Sequence, residues 1–472
     1  MEILHVSAEC YPVAKAGGLG DVVGALPKYL SEAGHICKVV MPMYRTRFLY
    51  ENKWEVVHKG SAFLGSTWFD YTIIKESTNK LGYDLYLVDI NGLLDREKIY
   101  GYNDDTERFT SFQIAVVDWV SAWKHRPDII HVHDHHTALI PFMLKYCFKY
   151  RHLETIPTVL TIHNAQYQGW MDWNLSHYIP NWDGWRWGML DWNNMINPLA
   201  AGIKCAWKVT TVSWSYLYEM RQQSNGLEAL LEYEKGKCVG ILNGIDSDVW
   251  DPATDSYLDD HYTIETLAAG KRANKEALCR EFNLNPNKPL FVFIGRLVGE
   301  KAADLLPKAI GDSLYYIDQR MNFLVLGSGE THVEQELEHM RSYWVGYYNS
   351  KIGYNEKLSH RMYAGADFLL MPSRVEPCGL NQMYAMRYGT VPVVRRTGGL
   401  RDTVIDISEP GGYGISFNHA TVGDITHGVY RAVELYDDQL KFDGIRRKIM
   451  ELDFGWDVSA KQYLDLYKSL LP

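Results

Sequence analysis

The residues best suited to chemistry lie in three glycine-bearing stretches. In the first, Glu376 stands alone within Ser373-Arg374-Val375-Glu376-Pro377-Cys378-Gly379-Leu380-Asn381-Gln382. An apolar run, Asp367–Pro372, precedes it and reads as a buried strand; Leu380–Tyr388 follows as a helix that stops at Gly389. A carboxylate on a strand-to-helix turn sits where open α/β sheets place ligand groups. Pro377 fixes the backbone there, and Gly379 lets a ligand approach the main chain. In the second stretch, Gly295-Arg296-Leu297-Val298-Gly299-Glu300-Lys301, two cations flank another such turn. Holding them together calls for an anion, which is either a structural partner such as Glu300 or Glu330 or a bound dianion. A diphosphate suits this fork, because Arg binds it bidentately and Lys as a point charge. The third stretch, Lys15-Ala16-Gly17-Gly18-Leu19-Gly20-Asp21, puts a cation in a glycine loop. Lys15 reads equally as a solvated surface residue or as a phosphate contact. Glu376 cannot join an anion, so it is expected to face hydroxyls or developing positive charge, away from the phosphate end. Together these groups describe a site for a nucleotide diphosphate sugar.

Other stretches are less specific. The first glycine loop lacks the third glycine of a dinucleotide fingerprint, since position 23 is Val. His131-Val132-His133-Asp134-His135-His136 misses metal-hydrolase spacing, so His131 is expected inside a strand and Asp134 at its end, where it can bind hydroxyls. Asp246-Ser247-Asp248 follows Asn243-Gly244 and reads as turn chemistry. The segment from Gly169 to Asn194 holds Trp170, Trp173, Trp182, Trp185, Trp187 and Trp192. Such a loop either stacks on sugar rings or is pinned to the body by its indoles.

The elements that must position these groups alternate strand and helix. Ile3–Ser7, a helix with Val22, Val23, Leu26 and Leu30 on one face, and Ile36–Met41 form a βαβ unit; Pro27 predicts a kink or an early break in its helix. Further strands are expected within 54–90 and at Asp128–His133, Val159–Ile162, Lys208–Ser213 and Val239–Asp246, with a helix over Phe112–Trp123. The alternation restarts with Leu290–Ile294, Phe323–Leu326 and Val391–Val394, which precedes Thr397-Gly398-Gly399. At 472 residues, two domains are expected. We place their bounds at 1–250 and 251–453, with an amphipathic segment, 454–472, crossing back to the first domain. The fold class is α/β, with two doubly wound domains and a site in the cleft between them. A net charge of −10 argues against nucleic acid as a partner. No apolar run of about 18 residues predicts a membrane span. The acidic, strand-like start does not read as a signal peptide, and seven dispersed cysteines fit a reducing cytoplasm.

Nearly end to end, the chain resembles the bacterial glycogen synthase and plant starch synthase family, retaining glucosyltransferases with the GT-B fold. The resemblance is carried by Lys15-Ala-Gly-Gly-Leu-Gly-Asp-Val, His131-Val-His-Asp134, Thr161-Ile-His-Asn164, Leu242-Asn-Gly-Ile-Asp246, Gly295-Arg-Leu with Lys301, Gly353-Tyr354, Ser373–Gln382 and Arg396-Thr-Gly-Gly-Leu400. It implies transfer of glucose from ADP-glucose to the non-reducing end of an α-1,4-glucan, with retention and with no metal or cofactor. The roles it implies are catalytic for His163, Arg296, Lys301 and Glu376. Substrate-binding roles fall to Lys15, Gly17, Gly18, Asp21, Tyr100, Asp134, Asn164, Asn243, Tyr354, Cys378, Gly379, Leu380, Thr397, Gly398 and Gly399. Use of UDP-glucose or a smaller acceptor, or a lapsed glucan-binding protein, are the competing readings. The sequence departs from the family at Ala302 (usually Gly), Glu300 (often Gln), His135 (often Trp) and Asn381 (often Thr). A positive φ at Ala302 would be a strain there. Oligomeric state is not legible in the sequence.

Overall fold

The computed structural model describes residues 1–472 and divides into two compact units, Met1–Asn243 with Trp456–Pro472, and Gly244–Gly455. In the first unit the strands are β1 (Glu2–Val6), β2 (Ile36–Pro42), β3 (Trp54–Leu64), β4 (Thr67–Glu76), β5 (Asp84–Asp89), β6 (Ile129–His133), β7 (Thr158–Ile162), β8 (Asp191–Trp192), β9 (Met195–Ile196), β10 (Lys208–Thr211) and β11 (Cys238–Gly240). β8 and β9 pair with each other, and the rest form a sheet in the order β11-β10-β7-β6-β1-β2-β5-β4-β3. Pairing is parallel from β11 to β5, and β4 and β3 add an antiparallel edge. The chain moves from β1 outward through β2, then returns to place β6 on the other side of β1. The order therefore reverses between β1 and β6, and the loops after those two strands flank the switch point.

The helix Gly18–Glu32 buries Val22, Val23, Leu26 and Leu30, as its spacing predicts. It runs without interruption through Pro27, so of the two outcomes expected from sequence the early break does not occur. Proline leaves the Val23 carbonyl without its helical donor, and the Cys10 thiol supplies one at 3.6 Å. The helix expected over Phe112–Trp123 spans Asp105–Ser121, with Asp105 and Glu107 in its first turn. Of the expected Val239–Asp246 strand only Val239 and Gly240 are extended in the sheet, as the end of β11 (Cys238–Gly240). Beyond it, Asp246 Oδ1 accepts from the Asp248 amide at 3.1 Å, so the D-x-D stretch builds a turn. The last helix, Trp456–Lys468, buries Trp456, Tyr463 and Tyr467 in the same core as Ile3, Val39 and Leu85.

In the second unit, β12 (Leu290–Ile294), β13 (Asn322–Gly327), β14 (Tyr348–Ile352), β15 (Phe368–Met371), β16 (Val391–Arg395) and β17 (Ile415–Phe417) form a parallel sheet. Its order is β14-β13-β12-β15-β16-β17, which reverses between β12 and β15. Phe291, Phe293, Phe323, Val325 and Leu370 pack into one core, while Leu290, Val292, Leu324, Leu326 and Leu369 pack into another. Alternate side chains thus fill two faces, and burial on both explains why these strands read as unbroken apolar runs. No helix is long and apolar enough to cross a membrane.

A buried lysine anchors the helices behind β15. Lys271 Nζ donates to the carbonyls of Tyr363, Ala364 and Tyr388 at 3.1, 3.0 and 3.0 Å, and reaches Thr390 Oγ1 at 2.7 Å. Those carbonyls lie at the C-terminal ends of the helices Glu356–Gly365 and Asn381–Arg387, where N–H donors are favoured, while burial holds the Lys271 ammonium well below the usual lysine range. Replacing Lys271 by Met would leave these acceptors buried and unpaired. We expect a loss of about 3 kcal/mol in the stability of the second unit, read as a lower denaturant midpoint. An unchanged midpoint would show that the contacts are not stabilising.

Candidate active site

In the second unit, Arg296 and Lys301 lie on the loop after β12, and Glu376 lies on the loop after β15, so they flank its switch point. Lys301 Nζ donates to both Glu376 carboxylate oxygens, at 2.7 and 2.6 Å. Ser373 Oγ adds a bond to Glu376 Oε2 at 2.8 Å. From sequence Glu376 is expected to stand apart from the cations; the fold joins it to Lys301 across 75 residues of chain. Arg296 is more exposed, and its nearest carboxylate, Glu300, is 3.5 Å away. The structural partner considered from sequence thus holds for Arg296, which pairs with Glu300, whereas Lys301 pairs with neither Glu300 nor Glu330. Arg374 ties the same two loops: its guanidinium grips both oxygens of Asp304 at 2.6 and 2.9 Å and donates to the Gly299 carbonyl at 2.7 Å.

The loop after β16 completes this wall. Gly399 N donates to the carbonyls of Glu376 and Pro377, each at 3.1 Å. A Cβ on Gly398 would stand 2.0 Å from the Glu376 carbonyl oxygen, and one on Gly399 would stand 1.9 Å from that of Cys378. Only glycine permits this approach. Cys378 is buried, and Gln382 Nε2 holds its carbonyl and that of Gly379, at 3.0 and 2.9 Å. Leu380 immediately precedes the helix Asn381–Arg387, and Asn381 donates to the Ile294 carbonyl at 2.7 Å, tying that helix to the end of β12. Thr397 is buried on the loop after β16. Tyr354 stands apart from this group: it is exposed after β14 and bonds to Glu356.

Ala302 has φ +54, the conformation that glycine would adopt without strain. The left-handed penalty is about 1 kcal/mol. Ala302 is also fully buried, and its methyl recovers about 0.8 kcal/mol. The two effects nearly cancel, so alanine is tolerated.

In the first unit the loops after β1 and β6 flank the other switch point. Glu9, which the sequence reading passed over, organises the first of them. Its Oε2 accepts from the Ala16 and Gly17 amides at 2.7 and 3.0 Å, and its Oε1 accepts from Tyr100 at 2.7 Å. The signal was present in an acid just upstream of the glycine loop, but its partner lies 91 residues away. Gly18 begins the helix, and Lys15 pairs with Asp21 at 2.7 Å while remaining partly exposed. Asp134, with φ +57, follows β6, and its Oδ1 accepts from the His163 amide at 2.7 Å and the Asn164 amide at 3.4 Å. Asp134, His163 and Asn164 are thus brought together. Asn243 lies beyond β11, with its Oδ1 buried and unpaired. His135 Nδ1 donates to the Tyr167 carbonyl at 3.1 Å, and its ring packs on His136.

The Trp-rich segment divides. Trp173 bonds to Asp191, Trp192 bonds to the Gly226 carbonyl, and Trp182 packs on Phe142, all of which pin the loop. Trp185 and Trp187 are exposed.

Histidines dominate the interior beside this site. The nitrogens of His5, His131 and His133 lie within 4.8 Å of one another, a spacing that a metal would accept. All but His5 Nε2 are engaged otherwise. His131 Nδ1 and Nε2 meet Tyr467 and Thr161, both at 2.6 Å, and His133 bridges His5 and His163 at 3.2 and 3.0 Å. Burial holds the His5 and His163 imidazoles down to about 3, and those of His131 and His133 well below their ordinary value. Burial also pushes the Asp134 carboxyl up to about 7, against the amide bonds that favour its charge.

These shifts set a pH dependence. The unfolded chain protonates its histidines near about 6.5, whereas the folded chain resists. The stability they contribute is complete above that value and is lost as pH falls toward the folded values. Asp134 acts in the opposite sense, because its folded carboxyl takes a proton below about 7 and its unfolded one only near about 4. At pH 5 each histidine costs about 2 kcal/mol, and Asp134 offsets about one of them. We expect the denaturant midpoint of the first unit to fall steeply from pH 7 to pH 5; a flat profile would contradict the neutral, buried cluster. We also expect Gly399→Ala to lower the stability of the second unit by about 2 kcal/mol, read as a lower denaturant midpoint, since a backbone carbonyl must move. An unaltered midpoint would show that the loops separate freely.

Comparison with known proteins gives this geometry a family. Residues 2–233 match the family described as "Starch synthase catalytic domain", and residues 274–442 match "Glycosyl transferases group 1". The chain is 53% identical over 471 residues to a glycogen synthase of Flavobacterium johnsoniae, covering 100% of this chain and 99% of that one. It is 38% identical to a glycogen synthase of a Hydrogenobaculum species, covering 99% and 98%. Among solved structures it is similar to the catalytic domain of starch synthase IV from Arabidopsis thaliana bound to ADP and acarbose, with a TM-score of 0.88, 31% identity and 99% of each chain covered. A sucrose-phosphate synthase from Thermosynechococcus elongatus, 16% identical with a TM-score of 0.65, shares the fold. The chain belongs to the glycogen and starch synthase family and is a glucosyltransferase of the GT-B fold.

Proposed function

We propose that the chain transfers glucose from ADP-glucose to the non-reducing end of an α-1,4-glucan with retention of configuration. The observation that carries this reading is the placement of Arg296, Lys301 and Glu376 on the two loops flanking the β12/β15 switch point. Arg296 and Lys301 take the donor's diphosphate. Glu376, the backbone of Cys378 and Gly379, and Leu380 take the glucose hydroxyls, Thr397, Gly398 and Gly399 line the phosphates, and Tyr354 meets the base. From the first unit, His163, Asn164, Asp134 and Asn243 serve the glucose. Lys15, Gly17, Gly18 and Asp21 serve the phosphate or the acceptor, and Tyr100 serves the acceptor. The free cysteines are all buried, which fits our placement of the protein in a reducing cytoplasm.

The chemistry follows from where charge develops. As the bond from the anomeric carbon to the phosphate oxygen breaks, negative charge grows on the leaving diphosphate. Lys301 and Arg296 stabilise that charge more in the transition state than in the ground state. Before the donor arrives, the Glu376 carboxylate holds Lys301 in place, so little reorganisation is needed. The acceptor hydroxyl attacks the face that the phosphate leaves, and its proton passes to the departing phosphate.

The reading is tested by incubating the purified chain with glycogen and either ADP-glucose or UDP-glucose, measuring nucleotide release and chain extension. Faster release from ADP-glucose is expected. Lys301→Ala and Glu376→Ala should each lose at least about 100-fold in turnover, about 3 kcal/mol, with unchanged circular dichroism. Retained turnover would overturn the assigned roles, and release from neither donor would favour a glucan-binding protein.

A further inference from the structure

His163 stands at the end of a hydrogen-bonded line of imidazoles that reaches into the sheet. His163 Nε2 meets His133 Nδ1 at 3.0 Å, and His133 Nε2 meets His5 Nδ1 at 3.2 Å. His5 Nε2 is buried and has no partner. The three rings come from β1, from β6, and from the residue after β7, and all three are buried. Each is neutral at neutral pH, because burial disfavours the imidazolium. A neutral imidazole carries one N–H and one lone pair. Two bonds between three such rings therefore leave only two arrangements.

In one arrangement every ring is protonated at Nε2. His163 donates to His133 and His133 donates to His5, which leaves the His5 Nε2–H as a buried donor with nothing to bond. In the other, every ring is protonated at Nδ1. His5 donates to His133, His133 donates to His163, and His5 Nε2 is left as a bare lone pair. Any mixed arrangement sets two lone pairs or two hydrogens against each other. Among buried backbone groups an orphaned N–H is rarer than an under-satisfied acceptor, and the same desolvation cost weighs on an imidazole N–H. The second arrangement is therefore favoured, and it places a proton on His163 Nδ1, the nitrogen that bonds to neither neighbouring ring.

We propose that His133 and His5 are positioning residues that hold His163 as the Nδ1–H tautomer, so that it offers a hydrogen-bond donor where β7 ends. Resting on the function proposed above, the recipient is a hydroxyl oxygen of the transferred glucosyl group. A lone pair at Nδ1 would instead have to accept from that hydroxyl. The line thus makes His163 a fixed donor without charging it. His131 packs on His133 with ring centroids 4.2 Å apart, but both of its nitrogens are taken by Tyr467 and Thr161, so it lies outside the line.

The test is made on the full chain without donor or acceptor, so it stands apart from the proposed activity. Histidine labelled with 15N on both ring nitrogens is incorporated, and two-bond proton–nitrogen correlations give the tautomer of each ring. His163 is assigned by the signal missing from His163→Gln. In the unaltered protein we expect His163 to show a protonated Nδ1 and a bare Nε2, by at least about tenfold over the other tautomer, because an orphaned buried donor is the alternative. In His133→Phe, which removes the donor to His163, we expect a shift toward Nε2–H, the form that unconstrained neutral histidine prefers. A protonated Nε2 in the unaltered protein would overturn the proposal. So would a His163 tautomer that is the same in His133→Phe as in the unaltered protein. If His133→Phe does not fold, the first measurement decides alone.

Discussion

The second unit depends on a steric constraint: two backbone loops share space that any Cβ would occupy. Gly398 and Gly399 lie against the carbonyls of Glu376 and Cys378. Gly329 lies against the Leu297 carbonyl in the same way, and β-bridge pairing joins those two residues. The loops after β12, β13, β15 and β16 are thereby stitched main chain to main chain, with the Arg374–Asp304 fork as the side-chain tie. A carboxylate and an ammonium held on two such loops need not search for each other. Their meeting is largely pre-organised, which is the condition under which fixed charges act most strongly on a developing anion. The Lys301–Glu376 pair is a consequence of that stitching rather than its cause.

The first unit uses a different resource. Its switch point is lined by polar groups that are buried and almost fully bonded within the protein. Glu9 collects a tyrosine and two loop amides, Asp134 collects the amides of His163 and Asn164, and the imidazoles bond to each other, to Tyr467 and to Thr161, which in turn bonds to Thr210. Burying neutral histidines sacrifices stability in acid for rings whose orientation is fixed. The last helix takes part, since Tyr467 closes one end of the network onto His131.

Much of this was legible in the sequence, and the reasons are physical. Continuous apolar runs ending in glycine-rich turns reported strands buried on two faces, and so located Arg296, Lys301, Glu376 and Thr397–Gly399 at strand ends. The pairing of Lys301 with Glu376 was not legible, because parallel strands are joined by long crossovers and sequence distance says nothing of register. The same holds for Glu9 with Tyr100, and for His5, an ordinary strand residue until β6 is laid beside it. Local rules failed where tertiary contacts overrode them. The helix continues through Pro27, where a thiol reaches the carbonyl that the proline strands, and Ala302 adopts a left-handed backbone with its methyl buried. Asn381, whose role sequence left open, ties its helix to the end of β12.

The central claim is that the ammonium held by Glu376 is the group that receives a nucleotide diphosphate. Titration calorimetry of ADP into the full chain, unaltered and as Lys301→Met, tests it most directly. We expect binding to the unaltered chain and at least about tenfold weaker binding to the variant, as the loss of a charge-assisted contact requires. Equal affinity in the two would contradict the account.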